Sequence, residues 1–176
     1  VDAILVLDVA PDDERVALAR AIQTPSVFIG VPTEHEGLLC VDLDFEAAAV
    51  LAVDRLAEAG HTSIGLIGQP DVAYEKSNFP PRLRSAFEGR ADALGIRHSF
   101  RTSGTDRTHI ADTRRGVGEI LDAGATALLI HAADDVHAAV FAELADRGLT
   151  VPADVSVVSV AASFDTGALA VPVDVI

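Results

Sequence analysis

The sequence predicts an α/β fold with parallel sheets, arranged as two lobes. Apolar runs of four or five residues alternate along the whole chain with helical segments of about 12 to 16 residues. Glycines close the helical segments at Gly60, Gly95, Gly124 and Gly148. One helix is delivered straight into a buried strand across Gly60-His61, and the same strand–helix alternation runs on either side of that joint. Such strands are covered on both faces, and in open parallel sheets ligands collect beyond the carboxyl ends of the strands.

In order, Ile4–Leu7 is the first apolar run, and Pro11 with Asp12, Asp13 and Glu14 marks a helix start whose acids suit the positive end of the dipole. Val16, Leu18, Ala19 and Ile22 give that helix its apolar side. Ser26–Ile29 and Leu39–Val41 are strands separated by a polar loop. Phe45, Ala48, Ala49, Ala52, Val53 and Leu56 recur at helical spacing, with Asp44 placed to cap their first turn. Beyond the joint, Ser63–Ile67 is a strand and residues 70–81 a proline-punctuated loop. Helices are expected over 82–94, 108–121 and 134–147. They alternate with strands at 96–100, 127–130, 156–160 and, at the chain end, 172–176. The strand ends to watch follow Leu7, Ile29, Ile67, Phe100, Ile130 and Val160.

The 176 residues are enough for one large domain or two small ones. Thirteen basic against 27 acidic residues leave a net charge of −14, which repels nucleic acid and anionic lipid. A single cysteine, Cys40, excludes an internal disulfide and suits a reducing, cytoplasmic compartment. No apolar run approaches the roughly 18 residues of a membrane span, and nothing at the start resembles a signal peptide. The absence of methionine marks the chain as an expected fragment of a longer protein.

Familiar chemistry is missing. Gly65 and Gly68 resemble the start of a dinucleotide fingerprint, but the third glycine and the immediate helix are absent. His35, His61, His98, His109, His131 and His137 show no metal-ligand spacing, so no metal and no cofactor is expected. Ser63 and Ser159 lack a nucleophile elbow, and Asp12-Asp13 and Asp134-Asp135 sit where acids partner helix dipoles, so no catalytic residue is assigned. What remains is a set of polar residues on strand-end loops: Asp8, Tyr74, Glu75, Asn78, Arg82, Arg84, Arg107, His109, His131, Asp134 and Asp165. Carboxylates, guanidinium groups and an aromatic ring on opposed loops suit a polar small molecule.

These residues sit in a familiar frame. Gly60-His61-Thr62-Ser63-Ile64-Gly65-Leu66-Ile67-Gly68 resembles the "ELGHRRIAFIGGP" segment of the effector-binding core of LacI/GalR-family transcriptional regulators. Val1–Leu5 resembles their "VDGIIL", Pro25–Ile29 their "PVVLID", and Val41–Asp44 their "VGVDN". Gly148–Val158 resembles their "GLRVPEDVSVVG", the most specific match.

The resemblance implies a two-lobed periplasmic-binding-protein-like fold with an incomplete N-terminal lobe. Residues 1–61 would form part of that lobe, 62–162 the C-terminal lobe, and 163–176 a crossover back. It implies an effector-sensing core without catalytic activity, controlled by a sugar or related polar metabolite. The effector contacts would fall on Asp8, Tyr74, Arg82, Arg84, Arg107, His131 and Asp134. A homodimer is implied, with contacts partly from the helix over 134–147 and the segment after Val160. Operator DNA would be reached only through a DNA-binding domain absent from this chain, with no membrane involved. A solute-binding protein of a sugar uptake system is the alternative, and an α/β enzyme a third class.

Departures from the family pattern are specific. Ala133 stands where the family has an effector-holding asparagine, and Val160-Ala161-Ala162 where it has an aspartate that grips sugar hydroxyls. The family arginine of "RLxGF" falls on Leu83, between Arg82 and Arg84. The effector is therefore expected to be less hydroxylated than a hexose, or the protein to respond poorly to any sugar. The first lobe is expected to need further chain, or a partner, to cover its sheet.

Overall fold

The computed structural model describes residues 2–104, 109–162, 165–169, 171 and 173–176. They form two parallel sheets. The first has three strands, β1 (Ile4–Val6), β2 (Ser26–Ile29) and β3 (Leu39–Val41), in that order, with α1 (Arg15–Ala21) between the first two. The second follows α2 (Phe45–Glu58) and contains β4 (Ser63–Gly68), β5 (Arg97–Thr102), β6 (Ala127–Ile130), β7 (Ser156–Ser159) and β8 (Asp174–Val175), in the order β5-β4-β6-β7-β8. Its connections are α3 (Asp71–Lys76), α4 (Phe79–Ala93), α5 (His109–Asp122) and α6 (Asp134–Asp146). Every strand pair is parallel, as the alternation predicts.

β4 is buried along its whole length, because both faces of the second sheet are covered. On one face Ile64, Leu66, Leu129 and Val158 pack against α2 (Ala49, Val53, Leu56) and α4 (Leu83, Phe87, Ala91). On the other, Ile67, Leu128, Ile130 and Val157 meet α5 and α6 through Val117, Ile120, Val140 and Leu144. The alternation of these two sets along each strand follows from the two-residue repeat of an extended chain.

The joint at Gly60 has the predicted chemistry. Asp44 Oδ1 accepts from Ala47 N at 2.9 Å at the start of α2. At its end Gly60 takes φ +92, Gly60 N donates to Ala57 O, and His61 N donates to Leu56 O. These two bonds satisfy the last carbonyls of the helix and turn the chain into β4.

Three placements depart from expectation. Helix α1 starts at Arg15, not at Pro11, because Asp13 takes the Arg15 amide and guanidinium together and turns the chain two residues later. The stretch 70–81 is mostly helical: α3 occupies its first half, and α4 opens at Phe79 with Pro80 and Pro81 in its first turn, where their missing N–H groups cost nothing. Helix α2, expected with the first lobe, packs against the second sheet, so the change from one packed body to the next lies at the β3–α2 connection. The final strand, β8, pairs with β7 at the edge of the second sheet.

The first sheet is one-sided. Val6 and Phe28 pack under Val16 and Ala19 of α1. The opposite face presents Leu5, which is 67% exposed, and Leu39, 62% exposed, in register across Val27, with Leu7 and Val41 continuing it. A parallel sheet with an uncovered apolar face is unusual. No helix among the described residues is long and apolar enough to cross a membrane.

Candidate effector cleft

A cavity of about 440 Å³ opens where the two packed bodies meet. The carboxyl ends of the first sheet supply Asp8, Ile29, Gly30 and Val41. The facing wall is made by the starts of two helices, Phe45 of α2 and Ser77, Asn78 and Phe79 at the head of α4. The Phe45 and Phe79 rings stack with centroids 5.0 Å apart and planes at 25°. Beneath them His131, at the end of β6, lies 5.8 Å from the Phe45 ring and 5.6 Å from the Phe79 ring.

Two contacts tie the walls together. Asn78 donates its side-chain amide to the Val31 carbonyl. Arg82 on α4 gives a two-pronged bond to Glu46 of α2, at 2.7 and 2.8 Å, and reaches Asp42 at the end of β3 at 2.8 Å. The Arg82 guanidinium holds the Glu46 carboxyl below its ordinary range. Replacing Arg82 by Met is expected to lower stability by about 1 kcal/mol, since the Glu46 end is half-exposed and screened. A urea midpoint unchanged from the wild type would show that this strap carries no load.

The seven residues expected to hold an effector fall into separate places. Asp8 lines the cavity, with its backbone at φ +53, a left-handed conformation that aspartate tolerates. His131 is 3% exposed and forms the layer behind the aromatic pair; burial drives its pKa down to about 4, so the ring is neutral near pH 7. Arg82 is the strap just described. Tyr74 and Arg84 instead satisfy each other's surroundings around Phe100: the Tyr74 ring meets it edge-on at 5.4 Å, and the Arg84 guanidinium lies 4.0 Å over its face while bonding Glu88. Burial pushes the Tyr74 hydroxyl up to about 12. Asp134 opens α6 and accepts from the Asp135 amide, acting on its own helix end. Arg107 lies outside the described residues.

The positions that depart from the family pattern are also placed. Leu83 is fully buried against the α2–α4 core, so its side chain does not reach the cleft. Ala161 takes φ +51, and its amide donates to the Ile176 carbonyl at 2.8 Å. Ala133 lines a second cavity of about 400 Å³ beyond the ends of β4, β5 and β6, where His109 and Asp135 pair at 2.8 Å. Of the remaining histidines, His61 bridges Thr126 and Ser156 at 2.8 and 2.9 Å, and His137 is buried within 2.9 Å of Ser159. Both are structural. Among the described residues no group of three or more His, Cys, Asp or Glu side chains gathers around a metal position.

Phe45 and Phe79, the chief apolar walls, were not among the residues singled out from the sequence. Each is an apolar residue at a helix start, which reads as core. For Phe45 the usable signal is that its helix start follows a strand-end loop; Phe79 follows α3 and carries no such signal.

The comparisons with known proteins agree with this geometry. The periplasmic binding protein-like domain family matches residues 53–173. A regulator of Streptomyces limosus, described as an uncharacterized HTH-type transcriptional regulator, is 33% identical over 162 residues, which is 86% of this chain and 42% of that protein. A LacI transcriptional regulator from a Rhodococcus species superposes with a TM-score of 0.70 at 28% identity, over 90% of this chain and 57% of that one. A LacI family transcriptional regulator from Bifidobacterium animalis gives a TM-score of 0.84 at 24% identity, over 100% of this chain and 63% of its own length.

The fold is thus an α/β core of two packed bodies with a cavity between them. The chain belongs to the periplasmic binding protein-like domain family, and over most of its length it is similar to LacI transcriptional regulators. It spans 42% of the curated relative and about three fifths of the solved relatives.

Proposed function

We propose that this chain senses a small effector and forms the dimerisation core of a LacI/GalR-like, cytoplasmic transcriptional regulator that acts as a repressor. The single observation carrying this reading is the cavity between the strand ends of the first sheet and the helix starts of the second body. A ligand there touches both bodies, so it binds one relative placement more tightly than another and shifts the population. A difference of about 1.4 kcal/mol changes operator occupancy about tenfold, a size that a few hydrogen bonds supply. The β3–α2 connection, spanned by the Arg82 strap, is the joint about which the placement changes.

Operator contact belongs to a DNA-binding domain outside this chain, because a surface of net charge −14 repels phosphate. Helix α6 and the segment after Val160 are the candidate dimer surfaces. Similarity to an HTH-type regulator favours this reading over an uptake receptor. The class expected for the effector is a sugar or related polar metabolite, with Asp8 the best placed of the candidate contacts.

A thermal-shift screen of sugars, polyols, nucleosides and purines on the full-length protein tests the reading. The expected result is a saturable rise in melting temperature with a ligand that also changes operator affinity. A ligand-independent operator affinity across the screen would overturn it.

A further inference from the structure

The chemistry of the cleft narrows the ligand class, a step that rests on the cleft being the effector site. The cations around it are already matched. Arg82 is shared between Glu46 and Asp42, and Arg15, behind β1, is held by Asp13. Asp8 lines the cavity with no side-chain ion pair of its own among the described residues; Arg15 Nη2 donates to its backbone carbonyl at 2.8 Å. Asp44, outside the lining, spends its carboxylate on the Ala47 amide at the start of α2. The balance of these groups is negative.

Two helix starts face the same space, and a helix start ordinarily attracts anions. Neither offers that here. Asp44 already occupies the Ala47 amide at the head of α2, and Pro80 and Pro81 remove two N–H donors from the first turn of α4. The remaining wall is aromatic, and one cation already uses it: the Arg82 guanidinium carbon stands 6.0 Å above the Phe45 ring. Ring faces of this kind attract cations.

We propose that the cleft is built for a small cation with an apolar face, a protonated amine on a compact ring or aryl frame, with Asp8 as counter-ion and the Phe79 ring, stacked on Phe45, as apolar wall. Phosphorylated sugars and carboxylates are excluded by the same charges. An aminosugar and an arylamine share the required chemistry, and matched probes separate them.

The experiment is calorimetry on the full-length protein with 2-phenylethylamine against 2-phenylethanol, glucosamine against glucose, and glucose 6-phosphate alone. One amine is expected to bind about tenfold more tightly than its neutral counterpart, the preference expected from one carboxylate that no side-chain ion pair holds. Asp8→Asn, which suits the left-handed backbone at this position, is expected to remove the preference for the amine over its neutral counterpart. If this variant fails to fold, the amine-to-neutral ratio of the wild type decides alone. Equal binding of amine and neutral probe, or tighter binding of the phosphate, overturns the proposal and leaves the effector cleft standing. Saturable binding of none of the five overturns it too, and the operator-affinity screen then decides the cleft independently.

Discussion

Lowering the pH from 6.5 towards 4 is expected to remove about 3 kcal/mol of stability through His131 alone. Burial holds the folded-state pKa of this ring at about 4, against 6.5 for an ordinary histidine. Between those values the unfolded chain takes up a proton that the folded chain refuses, so stability falls as pH falls, and the loss is complete below about 4. His61 and His137 are lowered by burial as well and add in the same direction. Carboxylates held low by guanidinium groups, such as Asp13 at about 2, act in a separate and more acidic window, from 3.8 downwards. Among the described residues the His131 Nδ1 meets no hydrogen-bond partner. His131→Phe therefore removes a buried polar atom and keeps a ring beneath Phe45 and Phe79. Urea unfolding at pH 7, 6, 5 and 4 should show a much flatter profile for the variant. An identical slope in both proteins would place the acid sensitivity elsewhere.

The second large effect is steric. A Cβ on Gly65 would stand 2.2 Å from Ile120 Cγ2 and 3.2 Å from Leu128 Cδ2. The side chains concerned are fully buried between β4, β6 and α5, so they have no free space to enter. Gly65→Ala is expected to cost about 3 kcal/mol, at the upper end of overpacking penalties. Ile120→Ala vacates the colliding methyl group, so the double variant should be more stable than the sum of the two single changes implies. Chemical denaturation of the three variants measures that coupling. Strict additivity would mean that helix α5 moves away as a unit rather than clashing at one contact.

The strand pattern was legible because fully buried parallel strands are written as unbroken apolar runs, as in Ala127–Ile130. The Gly60 stop was legible for a similar reason: the left-handed position is stereochemically demanding and names its residue. The start of α4 was not, since Pro80 and Pro81 signal a loop in isolation and a first helical turn only once Arg82 to Ala93 are seen to continue it. The allegiance of α2 was not legible either. Its apolar stripe says that one face is buried, and nothing in the stripe says against which sheet. At the cavity, Asp8 lies on the wall as the strand-end rule predicts, because that rule needs only order along the chain. Tyr74 and Arg84 misled because a ring and a guanidinium group that could hold a ligand serve equally well to hold Phe100.

The bare side of the first sheet has a colloidal consequence. Leu5, Leu7, Leu39 and Val41 form a water-facing oily plane, and among the described residues β1 and β3 are the edge strands of that sheet. Surfaces of that kind stack or zip together as concentration rises. The repulsion of 14 net negative charges opposes this at low ionic strength and fades as added salt screens it. For this stretch of chain, salt therefore sets the concentration at which it stays dispersed.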